Sequence, residues 1–185
     1  MPTSDPCFDS DFRDFIQKAQ ITRMLDVGPG QGRMGIITKD ILPNCQIDCV
    51  EIEQVYIDKF NLSSIYNTIY NDDIKNFCMK NSNVKYDLVL FNDILEHLFR
   101  SDAMDVIDSM LYNSKFIIVQ WPTNLAQDAV DGFQSEIHRS NFTLTDFINY
   151  NFDIMKYKKK YYNDHNFNMN FSVLRGYTNK TDILL

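Results

Sequence analysis

The sequence has no run of apolar residues long enough to span a bilayer. It has no basic start followed by an apolar stretch, so nothing at residues 1–6 reads as a secretory signal. It has no CxxC pair: Cys7, Cys45, Cys49 and Cys78 stand apart, which argues for reduced thiols over a zinc or disulfide framework. These absences together suggest a cytoplasmic protein. Net positive charge is missing too. At −7 the chain lacks the basic surface that phosphate binding needs, so a nucleic-acid partner is not expected. The basic run at 156–160 reads as a solvated strand face or, less simply, a local phosphate contact. No internal repeat or low-complexity linker divides the chain.

What is present suits one domain of 185 residues: a leading helix within 1–20, a core over 21–176 and a tail at 177–185. Strand and helix patterns alternate, which predicts a largely parallel sheet covered on both faces. Strands are expected at 23–27, 47–52, 68–70, 86–91 and 115–120, the last stopped by Pro122. Helices are expected at 9–18, 34–41, 54–62, 102–111 and 143–150, the last capped by Thr143 or Thr145. Strands at 154–162 and 167–173, joined by a turn at 163–166, make a closing hairpin.

The first strand runs into Gly28-Pro29-Gly30-Gln31-Gly32, and a helix follows. Such a corner binds anions or dipoles. The dinucleotide fingerprint GxGxxG would want a small residue at 33, and Arg33 breaks it. Glu51, with Ile52 after it, closes the second strand, where a carboxylate can accept both ribose hydroxyls. Asp73 closes the third, where it can accept from the adenine amine with Ile74 beside the ring; alternatively it merely caps a turn. Asp26 can act on the loop or on an ammonium group. This describes a site for a nucleoside with a cationic or zwitterionic tail, because a nucleotide would want cations for its phosphates.

These residues resemble the motifs of class I S-adenosylmethionine (SAM)-dependent methyltransferases. Residues 25–32 (LDVGPGQG) resemble the first motif. Val50-Glu51-Ile52 resembles the ribose position and Asp73-Ile74 the adenine position. Residues 86–98, with Asn92 and Asp93 at the strand end, resemble the fourth motif. The resemblance covers roughly residues 20–175. It implies a Rossmann-like α/β three-layer sandwich with strand order 3-2-1-4-5-7-6, an antiparallel last strand, and SAM as cofactor. Cofactor contacts are then expected from Asp26, Gly28, Pro29, Gly30, Gly32, Glu51, Ile52, Asp73, Ile74, Asn92 and Asp93. Residues 127–142 are similar to a stretch of small bacterial and phage-encoded methyltransferases that carry Gly-Asn, Glu-x-His and then Trp. Phe133 and Phe142 replace the Asn and the Trp here.

Methyl transfer from a sulfonium is an in-line displacement that needs alignment and dryness, not a metal. An oxygen or nitrogen acceptor can still need a base. His138 is the expected base, with Asp93 beside the cofactor as the other candidate. No metal ligand is assigned. A second resemblance, to the ExxEH…H arrangement of methyltransferases acting on small-RNA 3′ ends, would make Asp93, Glu96, His97 and His138 a divalent-metal set; otherwise Glu96 and His97 are structural. The expected function is methyl transfer to a small-molecule or sugar acceptor held by the N-terminal helix and the loop at 121–142. The alternatives are a silent SAM-binding protein, a metal-assisted RNA 3′-end methyltransferase and an NAD-linked oxidoreductase.

Overall fold

A computed structural model describes residues 4–162 and 165–178. Seven strands form one sheet: β1 (Arg23–Val27), β2 (Gln46–Val50), β3 (Thr68–Tyr70), β4 (Tyr86–Asn92), β5 (Ser114–Thr123), β6 (Phe152–Tyr162) and β7 (His165–Arg175). Their spatial order is β3-β2-β1-β4-β5-β7-β6, as the resemblance implied. β1 to β5 pair in parallel, whereas β7 runs antiparallel to β5 and β6. This is the Rossmann-like fold of class I methyltransferases. Successive residues of a strand face opposite sides, and β4 shows the consequence. Leu88 and Leu90 pack on one side with Phe12, Ile16, Ile47 and Phe171, while Val89 and Phe91 pack on the other with Phe77, Ile107 and Trp121.

The helices are α1 (Asp9–Ala19), α2 (Arg33–Ile41), α3 (Gln54–Lys59), α4 (Ile74–Lys80) and α5 (Arg100–Asn113). α1 buries Phe12 and Ile16, and Phe15 meets Phe116 edge-on at 5.1 Å. Several expectations need correction. β5 passes through Pro122, because β4 stops pairing at Asn92↔Gln120 and leaves no ladder on that side for a proline to break. The helix expected at 143–150 is only a 3₁₀ turn, Leu144–Asp146, closed by a reciprocal Thr143–Asp146 capping box. α3 is shorter than expected, since Asn61 turns left-handed (φ 48°). α4 was not foreseen; Asp73 starts it by accepting from the Lys75 amide at 2.7 Å.

Part of the basic run is ion-paired with the N-terminal segment. Lys156 pairs with Asp11, and Lys160 pairs with Asp5 at 3.0 Å, so the edge strand holds the N-terminal segment. Residues 163–164 of the expected turn and 179–185 of the expected tail lie outside the described residues. Among those described, no helix is long and apolar enough to cross a membrane. The four cysteines are free.

Candidate functional site

A cavity of about 750 Å³ opens at the carboxyl ends of β1, β2 and β4. That is where ligands bind in open α/β sheets, and the volume suits a small-molecule ligand. Gly28, Pro29 and Gly30 line it, with Glu51 and Ile52 after β2, Asp73 and Ile74 after β3, and Asn92 and Asp93 after β4. Glu96, His97 and His138 line it as well.

The glycine loop is built by local constraint. Gly28 has φ +63°, and a Cβ there would lie 2.0 Å from the Ile94 side chain. Gly32 caps α2 at φ +75°, with its amide bonded to the Pro29 carbonyl at 2.8 Å. Both positions therefore require glycine. Gly32 shapes the loop but does not line the cavity, and neither does Asp26. Asp26 is 1% exposed and turned away from the cavity toward Tyr66, whose hydroxyl donates to Oδ2 at 2.6 Å. That contact, with a residue just before β3, is neither of its two expected roles, on the loop or on an ammonium group. Burial pushes its carboxyl up to about 7, against the pull of Tyr66 and Arg33.

Glu51 is 4% exposed, and Oε1 accepts the Glu53 amide at 2.9 Å. Burial, reinforced by the charges of Glu136 and Glu53, pushes it up to about 7. Asn92 is buried with its side-chain amide nitrogen unpartnered. Asp93 sits in the left-handed region (φ 58°), which Asp tolerates better than most residues. Its Oδ2 accepts from the Asp5 amide at 3.0 Å and from Gln120 Nε2 at 3.2 Å, while Oδ1 has no partner. Burial pushes Asp93 up to about 7.

After Asp93 the chain makes a short 3₁₀ turn, Leu95–His97. Glu96 is 1% exposed and neither carboxylate oxygen finds a partner. Burial, and then the charge of Asp93, hold it protonated well above the usual range. His97 faces His138 edge-on with ring centroids 4.8 Å apart. Burial and the neighbouring imidazole push His97 down to about 4. His138 Nδ1 lies 2.6 Å from the Leu125 carbonyl and donates to it, so the lone pair is on Nε2. Burial pushes His138 down as well.

The cavity is acidic. Among the described residues, nine carboxyl side chains line it against two cations, Lys75 and Arg139. Arg33, the cation nearest the glycine loop in sequence, is bound to Asp9 outside it. Sequence reasoning missed several contributors. α1 does not line the cavity; Ser4 and Asp5 before it do. Phe167 and Met169 reach it from β7, and their period-two spacing was the only sequence signal for that face. Ser135 bonds Glu53 at 2.7 Å and Phe133 packs on Tyr56 at 5.0 Å, which fastens the 127–139 loop across the site. Phe142 is core instead: it is fully buried, and its carbonyl accepts from Trp121 Nε1 at 3.1 Å.

No protein-family model matches the chain, and no curated protein matches it by sequence. Solved structures do match. The N-terminal domain of EvdMO1 with S-adenosylhomocysteine (SAH) bound is 14% identical, with TM-score 0.61 over 94% of this chain and 82% of that one. The plantazolicin methyltransferase BpumL in complex with SAH is 15% identical, with TM-score 0.62 over 89% and 82%. The N-methyltransferase NodS from Bradyrhizobium japonicum WM9 is 12% identical, with TM-score 0.60 over 93% and 98%. At these identities the likeness defines the class of fold, that of the class I methyltransferases, and the particular reaction must be argued from the site.

Proposed function

We propose that the chain is a SAM-dependent methyltransferase, acting on a small-molecule or sugar acceptor at oxygen or nitrogen, in a cytoplasmic setting. One observation carries the reading. A glycine loop, Glu51 and Asp73-Ile74 meet on one cavity that offers no cation at the loop. A pyrophosphate would be unpaired there, whereas an adenosyl group with a sulfonium tail meets acceptors throughout. That disfavours the NAD alternative. The neighbours that carry SAH add support. Glu51 takes the ribose hydroxyls, Ile52 and Ile74 flank the base, and Asp73 accepts the adenine amine with the carboxylate that also caps α4. Gly28, Pro29 and Gly30 bring backbone close to the tail, and Asn92 and Asp93 close that side.

When bound, SAM supplies the electrophilic methyl: its C–S bond breaks as the bond to the acceptor forms, and the sulfur leaves neutral. The protein aligns the acceptor and excludes water. His138 Nε2 takes the acceptor's proton, with Asp93 Oδ1 as the second basic position on that wall.

Calorimetric titration of SAH and NAD tests the reading. Micromolar SAH binding, weakened about 100-fold in Glu51→Ala, is expected, since a hydrogen bond to a charged group contributes roughly 1.5–3 kcal/mol. Preference for NAD would overturn it. Loss of methylation in His138→Ala, with SAH affinity kept, is the expected signature of a residue at the acceptor end.

A further inference from the structure

Asp93 and Glu96 leave three buried carboxylate oxygens on the cavity wall without a hydrogen-bond partner: Asp93 Oδ1, Glu96 Oε1 and Glu96 Oε2. Glu96 is 1% exposed, and a buried carboxyl with neither oxygen bonded is costly. The two acids are close enough for the charge of Asp93 to bear on Glu96. Among the described residues, the cations that line the cavity are committed elsewhere. Lys75 pairs with Asp102 at 2.7 Å. Arg139 lies over the Phe99 ring at 5.4 Å and donates to the Gln134 carbonyl at 2.8 Å. A ligand that satisfies this wall must therefore bring several donors and positive charge on one atom. An ammonium group does both, with three N–H donors and no acceptor, whereas a hydroxyl brings one donor and no charge. An anionic group would instead meet nine carboxyl side chains.

The same wall holds a proton acceptor. A Glu96 carboxylate oxygen lies within 4.8 Å of a ring nitrogen of His138. His138 Nδ1 is engaged by the Leu125 carbonyl, so Nε2 carries the lone pair.

We infer that Asp93 and Glu96 form the recognition site for a protonated amine, and that the acceptor is an amine-bearing small molecule methylated at nitrogen. This rests on the methyltransferase reading and narrows it from oxygen or nitrogen to nitrogen. The amine arrives as an ammonium and donates to the unpartnered carboxylate oxygens. Its charge favours the ionised form of Glu96, against the burial that opposes it. One N–H proton passes to His138 Nε2, which leaves a lone pair on the nitrogen. That pair forms the N–C bond as the C–S bond breaks, and the sulfur leaves neutral. The methylated nitrogen is again an ammonium, held by the same acids, and His138 gives its proton to water.

The test uses the full chain with SAM and matched probes: glucosamine against glucose, benzylamine against benzyl alcohol, and putrescine against butanediol, with products read by mass spectrometry. At least one amine should be methylated with kcat/KM more than about tenfold above that of its alcohol, the worth of hydrogen bonds to charged groups. Glu96→Gln should lower that amine's kcat/KM by about ten- to a hundredfold while SAH affinity is kept. Asp93→Asn, which neutralises the other acid, should move the amine-to-alcohol ratio in the same direction. Alcohols methylated as well as their amines, or no amine methylated by protein that binds SAH, overturns the inference. So does a Glu96→Gln protein that melts normally but loses SAH as Glu51→Ala does, because the acids would then serve the cofactor's own ammonium. A chain that binds no SAH sinks the methyltransferase reading instead. Calorimetry with benzylamine and benzyl alcohol alone then still tests the ammonium site: binding of the amine only, weakened in Glu96→Gln, supports it, and equal or absent binding of the two overturns it.

Discussion

Tyr66 and Asp26 show how a residue can serve a site without lining it. The Tyr66 hydroxyl meets Asp26 Oδ2 at 2.6 Å in a fully packed setting. Tyr66→Phe leaves that oxygen without this partner, and an unmet buried acceptor costs about 1–3 kcal/mol. Urea denaturation should show a loss of that size. SAH affinity should fall far less than in Glu51→Ala, because Asp26 is absent from the cavity wall. An equal loss of SAH binding in the two variants would restore Asp26 to direct cofactor contact. Little of this was readable beforehand. The acid's place at the end of β1 is a matter of spacing, but the direction of its side chain depends on Tyr66, 40 residues later.

Among the elements, α2 carries the tightest fit. A Cβ on Gly35 would lie 2.7 Å from both the Tyr66 hydroxyl oxygen and the Ile65 side chain. Alanine there would gain about 0.8–1 kcal/mol of helix propensity. Overpacking costs about 1–3 kcal/mol, so Gly35→Ala should be net destabilising. The melting temperature should drop, and the double variant with Tyr66→Phe should be less than additive, because both changes disturb one contact. The parallel strands and α2 were legible because buried apolar runs and the glycine loop punctuate the chain. α4 was not: Ile74, Phe77 and Cys78 give it only three buried positions, and Asp73 looks alike as a cap or as a ligand. The false helix at 143–150 had a real cap, but Phe147 turns into the Trp121 cluster at 4.6 Å and ends the turn.

Across the whole molecule, buried acids give stability a distinctive pH dependence. Asp26 and Glu51 titrate at about 7 in the fold, against about 3.9 and 4.3 when unfolded. The folded state binds the extra protons, so their contribution is full below about pH 4 and lost as pH rises through about 7. His97 and His138, held neutral by burial, oppose this below about pH 6.5. The melting temperature of the ligand-free protein should therefore fall between about pH 6.5 and 8, and Asp26→Asn should fall less. A melting temperature that rises over that interval would refute the assignment. At the acid end Asp87 works the other way. Burial raises it, but Lys115, Thr22 and Arg23 outweigh that and hold it at about 2, so its contribution is lost as pH drops from about 4 toward that value.

The sequence by itself determined the sheet, the helices α1, α2, α3 and α5, the glycine turn and the acids that close β2 and β3. Those depend on periodicity, on backbone freedom and on position relative to a strand end, all of which are local. Only the tertiary structure decided that Asp26 faces Tyr66 while Glu51 faces the cavity. Only it brought the Ser4–Asp5 segment onto the site, tied down by Lys160 from the far edge strand. It also set His138 against His97, 41 positions away, with Glu96 unpartnered beside them. Those are contacts between segments distant in sequence, and how a buried polar atom is satisfied depends on what the fold packs around it.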